Sequence, residues 1–135
     1  MRKLASSNLR NEIYLTGLCP MQYTMRLVSG RWKIIVLWYI HAGVVRFGEM
    51  RKRVGMVTTK VLSQQLRELE ADGLISRTVC PGKSLKVEYA LTERGASLIP
   101  VLAQLNAWGV REQRGQPCGD GIAILEEDGH VRQCA

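Results

Sequence analysis

No part of this 135-residue chain stays apolar for long. The longest strongly apolar run, Ile34 to Ile40, has seven residues, where a bilayer-spanning helix needs roughly 20. The N-terminus carries Arg2 and Lys3 but no extended apolar segment behind them. Neither a membrane anchor nor a secretory signal is expected, and a cytoplasmic location is the default. Cysteine is sparse and scattered. Cys19, Cys80, Cys118 and Cys134 form no Cys-x-x-Cys pair, and no neighbouring histidine completes a zinc pattern. Thiols in a cytosolic chain are reduced by default, so no disulfide framework, metal site or cofactor is expected. His41 ends an apolar stretch and reads as a helix-terminal histidine at the negative end of the dipole. Catalytic signatures are missing too: there is no Gly-x-Ser-x-Gly, no Gly-rich phosphate loop and no His-Glu-x-x-His. Glu68 and Asp72 lie one helical turn apart, but no partner beside them suggests acid–base work. An enzyme is therefore not expected. Repeats and low-complexity runs are also absent.

What is present is one domain's worth of chain, 46% apolar, enough for a core without staples. Net charge is +7 and unevenly spread. Residues 1–109 hold 16 Lys/Arg against 7 Asp/Glu, while residues 110–135 hold 3 against 5. A basic body implies a polyanionic partner, nucleic acid or an anionic membrane face.

Periodicity divides the chain into an N-terminal arm (1–18), a central domain (19–109) and a C-terminal tail (110–135). The arm has a short helix near Asn8–Leu15. Helical spacing begins at Met21 and is broken by Ser29-Gly30. Trp32 to His41 reads as a buried helix, flanked by Arg31 and Lys33. Val44 to Phe47 is β-prone. Phe47 to Val54 is helical, with Arg51, Lys52 and Arg53 off its apolar face. Gly55-Met56-Val57 is a turn, and Thr58 offers an N-cap. The following helix, Thr59 to Ala71, has Val61/Leu62, Leu66 and Leu69 as its packed stripe. Leu74–Val79 and Leu85–Leu91 alternate as strands around the turn residues Cys80 to Ser84. Thr92 then caps a helix reaching Trp108, whose stripe is Leu98, Val101, Leu102, Leu105 and Trp108. Pro100 should kink or interrupt it. The tail contains one β-like island, Ile122 to Leu125.

Helix, helix, short turn, helix, hairpin is the plan of a winged helix-turn-helix: mainly α, with a small β-hairpin wing. The second helix of such a motif fits the major groove and presents side chains to base edges. Thr58, Thr59, Lys60, Ser63, Gln64 and Arg67 lie at its start and opposite the leucine stripe, and all can hydrogen-bond to DNA. Gln suits adenine, Lys and Arg suit guanine or phosphate, and Ser and Thr suit either. No carboxylate occurs in the first half of this face; Glu68, Glu70 and Asp72 come later. Lys83 at the hairpin tip and Lys86 beside it suit a wing lying on phosphates or in a minor groove. A protein-docking winged helix is the rival reading, but such a module would expose apolar residues on that face. Surplus apolar surface on the last helix, and on Tyr23, Met25 and Leu27, points to a homodimer. Its two reading helices would meet double-stranded DNA about 34–36 Å apart, at a near-palindrome.

Residues 19–109 resemble the HxlR family of winged-helix regulators. The resemblance rests on Cys19-Pro20, Gly30-Arg31-Trp32-Lys33, Arg46-Phe47-Gly48-Glu49-Met50, the long stretch Lys60 to Ile75, Val87 to Thr92, Pro100-Val101-Leu102 and Trp108-Gly109. It implies a dimeric cytoplasmic transcription regulator, by default a repressor, with N- and C-terminal helices at the dimer interface. The chain departs from the family in having Cys80-Pro81 where Tyr-Pro is usual, in its Gly82-Lys83-Ser84-Leu85 wing tip, and in its long tail. Cys19 sits just before Pro20 at an expected helix start, where the helix end favours thiolate over thiol. Several family members are similar in having a cysteine here, and some respond to oxidants or electrophiles such as quinones and aldehydes. Cys19 is thus the redox-sensing candidate, against the plainer reading of a buried structural thiol. A small-molecule effector at the dimer interface is the other regulatory possibility.

Overall fold

Residues 7–82, 84–113, 123–125 and 131–133 are described by a computed structural model. The chain divides into two units, Met1–Arg31 and Trp32–Ala135. The first unit holds helices α1 (Ser7–Leu18) and α2 (Pro20–Val28), so the helix expected near Asn8–Leu15 is longer than its periodicity indicated. Cys19 is the joint between them. Its amide donates to the Leu15 carbonyl (2.9 Å), and its own carbonyl accepts from the Tyr23 amide (3.0 Å). Pro20 opens α2 at a position where no amide is needed. α1 buries none of its residues, whereas α2 buries Leu27 and Val28.

The second unit is built around α3 (Lys33–His41), which is apolar on nearly every side and buries Lys33 and Val36 to Ile40. The helices α4 (Phe47–Val54), α5 (Thr59–Ala71) and α6 (Glu93–Glu112), together with strand β2 (Lys86–Leu91), all pack on it. Met50 and Val54 of α4, Leu62, Leu66 and Leu69 of α5, and Ile99 and Leu102 of α6 complete the core. Each such leucine contributes about 1.5–3 kcal/mol through burial.

β1 (Ile75–Cys80) pairs antiparallel with β2, from Ile75 opposite Leu91 to Cys80 opposite Lys86. Only Ile75 of β1 and Tyr89 of β2 are buried. The hairpin therefore leaves the core as a wing with both faces largely in solvent. Val44–Val45 does not become a strand, but the Val45 carbonyl accepts from the Tyr89 amide (2.9 Å) and ties the wing to the loop before α4. α6 is bolted to the start of the wing. The Thr92 hydroxyl donates to the Gly73 carbonyl (2.6 Å) and accepts from the Gly95 amide (3.0 Å). Two strands in the tail, β3 (Ala123–Leu125) and β4 (Val131–Gln133), form a separate antiparallel pair, where only one β-like island was expected.

Three packing expectations are corrected. Val61 is 38% exposed and does not belong to the buried stripe of α5. Ile99, rather than Val101, Leu105 or Trp108, shares the core face of α6 with Leu102. The stripe read from sequence merged two faces about a third of a turn apart. Finally, α6 runs unbroken through Pro100; the residue is exposed, so the carbonyl it leaves without a donor sits at the solvent side of the helix.

Candidate nucleic-acid interface

The turn between α4 and α5 fixes how the two helices follow one another. Gly55 takes φ +80°, a value that L side chains adopt rarely, and its amide closes α4 on the Arg51 carbonyl (3.0 Å). The Tyr39 hydroxyl donates to the Arg53 carbonyl (3.1 Å) and fixes the end of α4 to the core helix. Burial pushes the Tyr39 hydroxyl pKa up, with the Arg53 charge acting weakly in the opposite direction. Val57 is buried in the turn, and the Thr58 side chain accepts from the Val61 amide (3.2 Å), capping α5 as its sequence indicates.

The three- and four-residue spacing then gathers Thr59, Lys60, Ser63, Gln64 and Arg67 on the outer side of α5. All are exposed except half-buried Ser63. Gln64 and Arg67 are not independent of one another. Arg67 Nη2 donates to Gln64 Oε1 (3.1 Å), and Gln64 Nε2 donates to Glu68 Oε1 (3.1 Å). Glu68 in turn meets Lys33 Nζ at 2.8 Å. The hydrogen bond from Lys33 holds the Glu68 carboxyl below the ordinary carboxylate value, opposed by burial and reinforced by Gln64.

Beside this face lies an open groove lined by Phe47, Gly48, Arg51, Lys52, Gly55 and Thr59. Its two cations, Arg51 and Lys52, are both exposed on α4. Sequence reading left Arg51 and Lys52 out of the site, although a run of three cations following Met50 was the available signal. Arg53 differs from them, being paired with Glu49 at 3.2 Å. On the wing, Lys86 is exposed at the start of β2, and Arg77, also missed, is exposed on β1. Lys83 lies outside the described residues, as do Cys118 and Cys134. Cys19 and Cys80 are free, half-buried thiols. Among the described residues no helix is long and apolar enough to cross a membrane.

Residues 27–116 match the model of the HxlR-like helix-turn-helix proteins. An uncharacterized HTH-type transcriptional regulator of Halalkalibacterium halodurans is 42% identical over 95 residues, covering 70% of this chain and 84% of the relative. YdzF of Bacillus subtilis, also an uncharacterized HTH-type transcriptional regulator, is 37% identical over 103 residues, covering 76% and 94%. Among solved structures, the redox regulator HypR in its reduced form matches with a TM-score of 0.67 at 37% identity, covering 71% of this chain and 95% of that one. The reduced transcriptional regulator YodB of B. subtilis matches with a TM-score of 0.62 at 31% identity, covering 75% and 98%. These relatives are regulators rather than enzymes, and the winged-helix architecture is common to the solved ones.

Proposed function

Because the chain belongs to the HxlR-like helix-turn-helix family, and so is a transcriptional regulator with a helix-turn-helix DNA-binding fold, we propose that it acts as a homodimeric repressor of a near-palindromic operator in double-stranded DNA. α5 enters the major groove, Arg51 and Lys52 hold phosphates, and the wing with Lys86 and Lys83 lies along the adjacent backbone. One observation carries this reading: the exposed first half of α5 is wholly polar or basic apart from Val61, with no carboxylate before Glu68. That composition also disfavours the docking-module reading.

The regulatory part of the proposal is a thiol switch at Cys19. Its support is the position of a half-buried thiol at the joint of α1 and α2. HypR, 37–39% identical to this chain, has also been solved in reduced and oxidised forms. Oxidation or alkylation there alters how α1 meets α2, and through them the dimer.

The test is a gel-shift titration on DNA flanking the protein's own gene, with and without diamide. Gln64→Ala is expected to cost about 1–3 kcal/mol at the operator and to relax base preference. Lys86→Ala is expected to weaken binding to every sequence and to lower the salt slope by about 1. Diamide is expected to change binding by wild type but not by Cys19→Ser. An equal change in both would place the reactive thiol elsewhere, such as Cys80, and no change in either would discard the switch and point to a non-covalent effector.

A further inference from the structure

Lys33 is the only charged residue of the described chain buried with the core, at 7% exposure. It stands in the first turn of α3, where the positive end of the helix dipole disfavours a cation. A buried ammonium in such a place needs a fixed anion, and Glu68 supplies one at 2.8 Å. An exposed glutamate paired only along its own helix would gain little and wander. Glu68 instead is tied to the central helix of the core.

The consequence falls on Gln64. A glutamine amide has donor and acceptor ends of nearly equal size, so either could face outward. Here the amide lies between Glu68, whose ionised carboxylate only accepts, and Arg67, whose guanidinium only donates. Both neighbours impose the same orientation: Nε2 toward Glu68 and Oε1 toward Arg67. One N–H and one lone pair of Gln64 remain unused, and these are the complement of the N7 and N6 edge of adenine.

We propose that Glu68, anchored by buried Lys33, is a positioning residue that fixes the Gln64 amide, and with it Arg67, for base readout in the major groove. It need not touch DNA itself. This inference rests on the assignment of α5 as the reading helix. It extends that assignment by placing a determinant of sequence preference on the core-facing side of Gln64.

The experiment is selection from randomised double-stranded DNA, followed by competition at each operator position. It uses the full-length wild type, Gln64→Ala, Glu68→Gln and the double variant. Glu68→Gln is nearly isosteric but no longer acceptor-only, so it allows the Gln64 amide to turn. Its expected effect is a loss of about tenfold in preference at the base pair read by Gln64, with preference elsewhere unchanged. In the Gln64→Ala background the same change should alter that preference by less than about twofold, because coupled residues are non-additive. A merely structural role for Glu68 would weaken all positions together. Lys33→Met risks misfolding; Glu68→Gln, with its fold checked by circular dichroism, keeps the test decisive. Unchanged preference in Glu68→Gln while Gln64→Ala relaxes it would overturn this proposal alone. Unchanged preference in Gln64→Ala would overturn the reading-helix assignment, and this inference with it.

Discussion

Gly95 has no room for a side chain. A Cβ added there would collide with the carbonyl oxygen of Leu74, which also accepts the Thr92 amide. The obstacle is backbone, which cannot swing aside. Gly95→Ala is therefore expected to destabilise the protein by about 3 kcal/mol. Gly48, in α4, has open space around its missing Cβ, and Gly48→Ala is expected to stabilise by about 0.5–1 kcal/mol through helix propensity. Urea unfolding of the two variants measures both signs, and a mild effect at Gly95 would show that α6 can step away from the wing. Nothing in the sequence distinguishes these glycines, because each sits inside a helical pattern and only tertiary approach separates them. Lys33 makes the same point. Its place beside the longest apolar run is legible, but its burial and its pairing with Glu68, 35 positions away, are products of packing. By contrast the Thr58 cap was readable, since capping needs only its own helix.

At the scale of elements, α4 and α5 follow the boundaries that pattern and turn chemistry indicate, because each has a strong stop, Gly55 and Gly73; the hairpin is found within one residue, with Cys80 ending β1 rather than opening the turn. α6 is the exception. Proline in a helix interior removes one hydrogen bond and crowds the preceding turn, so an interruption is the natural expectation from sequence. The helix continues because packing on both sides of Pro100, through Ile99 and Leu102, holds it across the defect. Pro100→Ala should then be stabilising. The restored helical bond is worth up to about 3 kcal/mol, less roughly 0.4–1 kcal/mol of added freedom in the unfolded chain, leaving a net gain of about 2 kcal/mol in chemical denaturation. A loss of stability instead would mean that the fixed backbone geometry of Pro100 is itself required by what α6 packs against.

For the whole molecule, the question is what covers the apolar surface that its own core does not. α1 buries nothing while exposing Ile13, Tyr14, Leu15 and Leu18, and a twelve-residue helix of that kind is marginal alone in water. Independently, α6 exposes Val101 (48%), Leu105 (50%) and Trp108 (61%) at helical spacing along one side. Isolated apolar residues on a surface mean little, but stripes on the terminal helices mark association. The element order was legible in the sequence, as was the surplus of apolar surface on Tyr23, Met25 and the last helix; Leu27, expected to share it, is buried in its own chain. Which of the α6 residues faced the core was not legible, because its apolar residues lie both on the core side (Ile99, Leu102) and on an exposed side (Val101, Leu105, Trp108), so their spacing leaves the phase open. A second copy of the chain is the occupant that the proposed two-fold operator requires. Leu105→Glu tests it sharply. Since Leu105 is half exposed in the single chain, a carboxylate there should leave the fold intact by circular dichroism. Buried without a partner in an isologous interface, the same charge appears twice and costs several kcal/mol. Sedimentation equilibrium should therefore show the mass falling from two chains to one, and operator affinity should fall with it while weak binding to arbitrary DNA persists. A Leu105→Glu protein that stayed dimeric would move the interface off this stripe; one that was monomeric yet bound the operator as tightly as wild type would remove the two-fold symmetry from the proposed mechanism.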